Sequence, residues 1–243
     1  NTMQKALNPV IAKSEGAGDR ATMLRASMLG SKISFFLLVV FYVPVLIEMP
    51  YIFKIWLKDV PEFAVVFCRL LLLRNMVEQF YSTLSNSIAA VGNIKQFQIY
   101  SSVLFILPLL VSYLLFAFHY PPYALYLTFL LFSFLSFGAT VYFANKNCNL
   151  NTPYYMKHIV LRCLASFVAI FLVSVLPLFF MDSGIPRLIL VGGTSLFAFA
   201  LAVWKVGFTT GEQQRAKHLT RVLYGKFRLI LLLSPKPVNN EPA

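Results

Sequence analysis

Six stretches of this chain are apolar over roughly 20 residues each, the length an α-helix needs to cross the hydrocarbon core of a bilayer, and nothing else limits its folding so strongly. They are span A at Ile33–Ile47, span B at Phe63–Ala90, span C at Phe97–Phe118, span D at Tyr123–Ala144, span E at Ile159–Met181 and span F at Leu188–Phe208. Turn chemistry separates them, in "LKDVPEF", "VGNIKQ", "HYPPY", "NKNCNLNTP" and "DSGIP". Between A and B, "PYIFKIWLKD" is too short to span, and with Tyr51, Lys54 and Trp56 it reads as an interfacial helix. The expected fold is all-α, a polytopic transmembrane helix bundle of six spans.

Composition agrees. The chain is 58% hydrophobic and 12% charged, where soluble domains are about 25% charged, which excludes an ordinary soluble fold. A net charge of +12 could point to nucleic acid, but the charges fall between the apolar runs, as in cytoplasmic loops of membrane proteins; no nucleic-acid partner is expected. Lys5, Lys13, Arg20, Arg25 and Lys32 precede span A, Lys95 lies between B and C, and Lys146, Lys157 and Arg162 lie between D and E or just inside E. Arg215, Lys217, Arg221, Lys226 and Arg228 follow F. The opposite gaps hold Lys54 and Lys58 against Asp59 and Glu62, no strongly charged residue in "HYPPY", and Asp182 against Arg187. The positive-inside rule therefore puts both ends in the cytoplasm, in accord with an even number of spans.

Span B is the exception among the six. It carries Arg69, Arg74 and Glu78, and a charge at the centre of a bilayer costs about 2.5–3.5 kcal/mol even on the lenient insertion scale. At 100° per residue, Arg74, Asn75, Glu78, Gln79, Ser82, Ser85 and Asn86 share one face, while Met76, Val77, Phe80, Leu84 and Ile88 occupy the other. Two readings fit. In one, the stripe is a buried seam in which Arg74 and Glu78 pair at i, i+4 and the amides bridge to neighbouring helices. In the other, it lines a water-filled cavity that binds a polar substrate. Arg69 lies off the stripe, nearer the outer end, where it snorkels outward or meets another helix.

The remaining polar marks carry less. Glu48 closes span A and is expected to be exposed at the outer interface. Pro44, Pro108 and Pro177 are expected to kink spans A, C and E, and Gly192 and Gly193 to mark close helix packing in F. His119, His158 and His218 lie far apart, and Cys68, Cys148 and Cys163 form neither a disulfide framework nor a metal motif. No metal site, cofactor or catalytic residue is expected. Residues 209–243 read as a basic interfacial helix followed by a disordered cytoplasmic tail. With Asn1 at its head and no cleavable signal before span A, the sequence reads as part of a longer protein.

Three stretches carry a resemblance: "LNPVIAKSEGAGD" (Leu7 to Asp19), "EMPYIFKIWLKDVPEF" (Glu48 to Phe63) and "AAVGNIKQFQIYSS" (Ala89 to Ser102), the last through Gly92, Ile94 and Lys95. In order and spacing they resemble polysaccharide-biosynthesis flippases, the Wzx-type lipid-linked oligosaccharide exporters of the MOP superfamily, relatives of the multidrug MATE transporters. The first half of the chain carries the likeness; spans D to F match in hydropathy and length. The resemblance implies the C-terminal lobe of a MATE-like two-lobe transporter. Residues 1–29 would form a cytoplasmic loop and the end of a preceding span, and residues 30–208 the six-span bundle. It also implies a flippase moving polyprenyl-diphosphate-linked oligosaccharide across the inner (plasma) membrane for O-antigen, capsule or exopolysaccharide synthesis, in contact with membrane lipids and with polysaccharide polymerase or glycosyltransferases. The family's cavity is cationic, but placing Arg74, Asn75, Glu78, Gln79, Ser82 and Asn86 on the substrate rests on the helical wheel, and Arg69, off that stripe, would guide the phosphates near the outer exit. A MATE-like small-solute or drug antiporter is the alternative. A membrane-embedded polymerase or ligase fits less well, because the longest outer gap, residues 48–62, is only about 15 residues.

Overall fold

The computed structural model describes residues 2–57 and 59–208. The expected basic helix and tail after Phe208 lie outside these, as does Lys58. All regular structure among the described residues is helical. Helix α1 spans Thr2–Gly16, α2 Arg20–Trp56, α3 Ala64–Ala90, α4 Lys95–Ala117 and α5 Ala124–Cys148. Helix α6, Thr152–Phe179, contains one wide π turn at Met156–Val160 and tightens to a 3-10 turn at Leu176–Phe179. Helix α7, Ile185–Gly207, ends on a second π turn at Val203–Gly207.

Helices α2, α4, α5, α6 and α7 are long and apolar enough to cross a membrane. At 27 residues α3 also has the length, but Arg69, Arg74, Glu78 and the amides around them dilute its apolarity. It lies between α2 and α5, with α1 packed across α2 and α3, α4 against α5, and the α6–α7 pair against α2. Large apolar side chains such as Phe41, Phe105, Ile189 and Phe197 point outward, as a lipid-facing surface requires. This is a helical bundle of the membrane-spanning kind.

Cross-contacts fix which ends lie together. At one end Lys146 Nζ donates to Gln96 Oε1 (3.2 Å), Asn147 Nδ2 to the Asn93 carbonyl (3.0 Å) and Arg162 Nη1 to the Phe208 carbonyl (3.1 Å). At the other, Phe63 meets Tyr123, Phe67 meets Tyr126, and Arg187 meets Glu48.

Three expectations change. The first concerns span A and the separate interfacial helix after it, which are one helix of 37 residues with Pro44 and Pro50 inside it. The second concerns Gly192 and Gly193. A Cβ built on either meets nothing within 4 Å, whereas one on Gly30 would sit 2.5 Å from Leu7 Cδ1 and one on Gly207 2.8 Å from Phe36 Cζ. The close approaches are therefore α1 and α3 on α2 at Gly30, and the end of α7 on Phe36. The third concerns Pro177, which sits in a 3-10 turn after the α-helical part of α6 ends at Val175, while Pro44 and Pro108 lie within α-helices.

The stretch Leu7 to Asp19 is helical as far as Gly16, and the turn proper is short. Gly18 takes φ +74° there, and Asp19 caps α2 by accepting from the Thr22 amide at 3.0 Å. Hydrogen bonds from Thr22 hold the Asp19 carboxyl below its ordinary range.

Gly30→Val should destabilise the bundle by about 1–3 kcal/mol through overpacking, whereas Gly193→Val should leave it nearly unchanged. Thermal unfolding in detergent compares the two; equal effects would contradict this packing.

Candidate functional site: the two sides of α3

The polar residues of α3 divide between its two neighbours. On the α5 side, Arg74, Glu78, Tyr81 and Ser85 follow one another at spacings of four, three and four residues, which keeps them on one helical line. They open onto a cavity of about 210 Å³. Tyr100 and Ser101 of α4 and Ser133, Ser136 and Thr140 of α5 add hydroxyls to its wall. The cavity thus combines one cation, one carboxylate and a set of hydroxyl and aromatic groups.

Arg74 does not pair with Glu78. Arg20–Glu15 and Arg187–Glu48 are ion pairs among the described residues, and neither Arg74 nor Glu78 joins one. The Arg74 guanidinium lies instead over the Phe129 ring, 5.2 Å from its centroid, a cation–π contact from α3 to α5. A guanidinium held by a ring face keeps its N–H donors for another acceptor, and the cavity is where that acceptor would sit.

Asn75 and Asn86 turn the other way, and Gln79, which does not line the cavity, bonds back to its own helix. Asn75 Nδ2 donates to Tyr42 Oη of α2 (3.4 Å), Gln79 Nε2 to the Asn75 carbonyl (2.9 Å) and Asn86 Nδ2 to Asn8 Oδ1 of α1 (2.8 Å). Ser82 is half-buried and is not among the cavity-lining residues. The stripe read from the wheel is wide enough to reach α1 and α2 on one side and the α4–α5 cavity on the other, and the structure separates it into a packing line and a cavity line.

Further round on the α2 side lies a dry seam made by Thr83 and Ser87, which the wheel did not single out. Both are buried, as are Ser27 and Ser31 opposite them. Ser27 and Ser87 share a short hydroxyl–hydroxyl bond, as do Ser31 and Thr83. Thr83 Oγ1 donates to the Ser27 carbonyl (3.0 Å), and buried Tyr155 of α6 reaches the Phe80 carbonyl through its hydroxyl (2.5 Å). Small hydroxyl residues that let two helices approach and bond are the usual glue of membrane bundles. The signal was present in the spacing Ser27–Ser31 and Thr83–Ser87, two i, i+4 pairs on adjacent helices.

Near the end of α2, two arginines from other helices converge. Glu48, expected to be exposed, is fully buried, because Arg187 from the first turn of α7 covers it. Arg187 Nη2 donates to Oε2 at 3.0 Å and Nε stands 2.8 Å from Oε1. Arg69 is not brought to the Arg74 cavity. Its Nε donates to the Leu46 carbonyl at 3.2 Å. Pro50 explains that contact: it has no N–H, so the carbonyl four residues back loses its helical partner. Arg69 supplies the donor, which helps α2 to continue through Pro50.

Two substitutions test this. Arg69→Ala should destabilise the bundle by about 1–3 kcal/mol, the cost of an orphaned buried carbonyl, and clearly less in a Pro50→Ala background, where residue 50 again bonds Leu46. A double-mutant cycle by thermal unfolding measures the coupling; additive effects would show that Arg69 does not replace the missing N–H. Comparison with family models, with curated proteins and with solved structures finds no match to this chain.

Proposed function

We propose that this chain is one lobe of an inner-membrane flippase that carries a polyprenyl-diphosphate-linked oligosaccharide from the cytoplasmic to the outer leaflet. The family assignment rests on the resemblance of the three sequence stretches. The observation that carries the mechanism is the cavity between α3, α4 and α5, where Arg74 and Glu78 share a wall with Tyr81, Ser85 and the α5 hydroxyls. In this reading α3 is a sixth span, tolerated because its charges face the cavity and the protein rather than lipid. The end bearing Lys95, Lys146, Lys157 and Arg162 faces the cytoplasm by the positive-inside rule.

Flipping makes and breaks no bond. Its barrier is the desolvation of sugar hydroxyls and phosphate charge in hydrocarbon, and a hydrated polar cavity lowers it. Arg74 would hold the diphosphate through the donors that the Phe129 contact leaves unused. Glu78 would keep the local field near neutral between visits, and the cavity hydroxyls would bond sugar. At about 210 Å³ the cavity falls below the 300 Å³ or so typical of a ligand pocket. It would therefore take only one end of so large a substrate, with the remainder lying between this lobe and a second one. Rocking of the lobes would expose the site to each side in turn. Polymerase and glycosyltransferases of the same pathway are the expected partners.

In the full-length protein, Arg74→Ala should abolish glycan export while membrane abundance stays near normal, and Arg74→Lys should keep part of it, since charge remains but the bidentate fork is lost. Complementation of a flippase-null strain reads this out. Normal export by Arg74→Ala, or a loss that merely follows lower abundance, would refute the proposal.

A further inference from the structure

A second cavity lies on the other side of α3 and suits a different ligand. It is bounded by α2, α3 and α6, measures about 410 Å³ and is lined by Leu46, Leu73, Phe167, Phe171, Val175 and Leu178 among its apolar residues. Arg69 is its one charged lining residue, and no hydroxyl or amide side chain lines it. A wall without such groups offers a sugar almost nothing. An alkyl chain ending in a phosphate matches it on both counts.

The arginine is already positioned. Its Nε is committed to the Leu46 carbonyl that Pro50 leaves without a helical donor, which fixes the plane of the guanidinium. Among the described residues its two Nη groups meet no acceptor, while carboxylates and phosphates are the groups an arginine fork binds best. The site also lies at a suitable depth. Arg69 is five residues from the start of α3, about 8 Å at 1.5 Å per residue. Leu178 of the cavity wall is followed directly by Phe179 and Phe180, which are 76% and 84% exposed. Trp56, which closes α2 at the same end, is 78% exposed, and an exposed tryptophan at a bundle end marks the level of lipid headgroups.

We infer that this cavity holds one phospholipid of the surrounding leaflet, its phosphate on the Arg69 Nη groups and an acyl chain against Phe167, Phe171 and Val175. The lipid would fill the space between α3 and α6 and so hold together two sides of the bundle around the polar helix. Its volume lies within the 300–1,000 Å³ range of ligand sites, which is ample for part of one chain. This inference does not depend on glycan export.

The test is native mass spectrometry of the full chain released from micelles containing phosphatidylglycerol and phosphatidylcholine. One phospholipid should survive delipidation on the wild type. Arg69→Ala should lower its retention at least fivefold and Arg69→Lys should keep part of it, since the charge remains but the fork is lost. Val175→Phe, which narrows the cavity and leaves Arg69 in place, should also lower retention, and it decides the matter if Arg69→Ala fails to fold. Equal retention by the wild type and by whichever of the two variants folds would overturn the inference. So would displacement of the phospholipid by an equimolar polyprenyl phosphate, because the cavity would then belong to the transported lipid.

Discussion

A helix with two arginines and a glutamate in its sequence can lie inside an apolar bundle only where its polar atoms find partners within the protein. The contact between α2 and α3 supplies that condition. Ser27 and Ser31 on one helix meet Thr83 and Ser87 on the other, and the absence of bulky side chains between them lets the backbones approach, with Gly30 at the same level. Each such bond is worth only about 0.6 kcal/mol in a membrane protein. Their larger effect is on register. Four hydroxyls that must meet in pairs fix how far α3 can rotate or slide on α2, and that rotation decides which residues face α5.

With the seam fixed, the rest of α3 follows from helical geometry. Phe80 stacks on Phe35 at 4.7 Å between centroids, and Leu84 and Ile88 are fully buried beside it. The line through Arg74, Glu78, Tyr81 and Ser85 is then turned to the opposite neighbour, where α4 and α5 leave a cavity. Two arginines a turn and a half apart receive different roles. Arg69 completes the hydrogen bonding of α2 beside an apolar cavity, and Arg74 rests on an aromatic ring beside a polar one. The buried Glu48–Arg187 pair ties α7 to α2 at the same end as Arg69. Pairs of this kind contribute little net stability but are costly to break, which suits a contact that sets where a helix begins.

Much of this was legible in the sequence. The helical class, the approximate places of the apolar segments and the polarity of α3 follow from runs of apolar residues and their interruptions, because a bilayer leaves few alternatives. The division of the α3 stripe was not legible, since a wheel shows which residues share a face but not that two helices divide that face between them. Glu48 looked exposed because its partner lies 139 residues away, and no local pattern announces a pair at that separation. The segment from Pro50 onward looked like a separate interfacial helix because the donor that repairs α2 comes from another helix. The glycines misled for a similar reason: Gly192 and Gly193 form a conspicuous pair, yet the close approaches are at the unremarkable Gly30 and Gly207. In each case the deciding partner was tertiary.

If α3 is dry on its α2 side and wet on its α5 side, a water-borne reagent should tell the two sides apart. Single cysteines along α3, in a background with Cys68, Cys148 and Cys163 replaced, would be challenged in membranes with a small, water-soluble thiol reagent. Reaction is expected at positions 74, 78, 81 and 85 and protection at 80, 83, 84 and 87, a pattern with the period of one helical face. Reaction at 83 and 87 as fast as at 78 and 85, or protection at all eight, would contradict it.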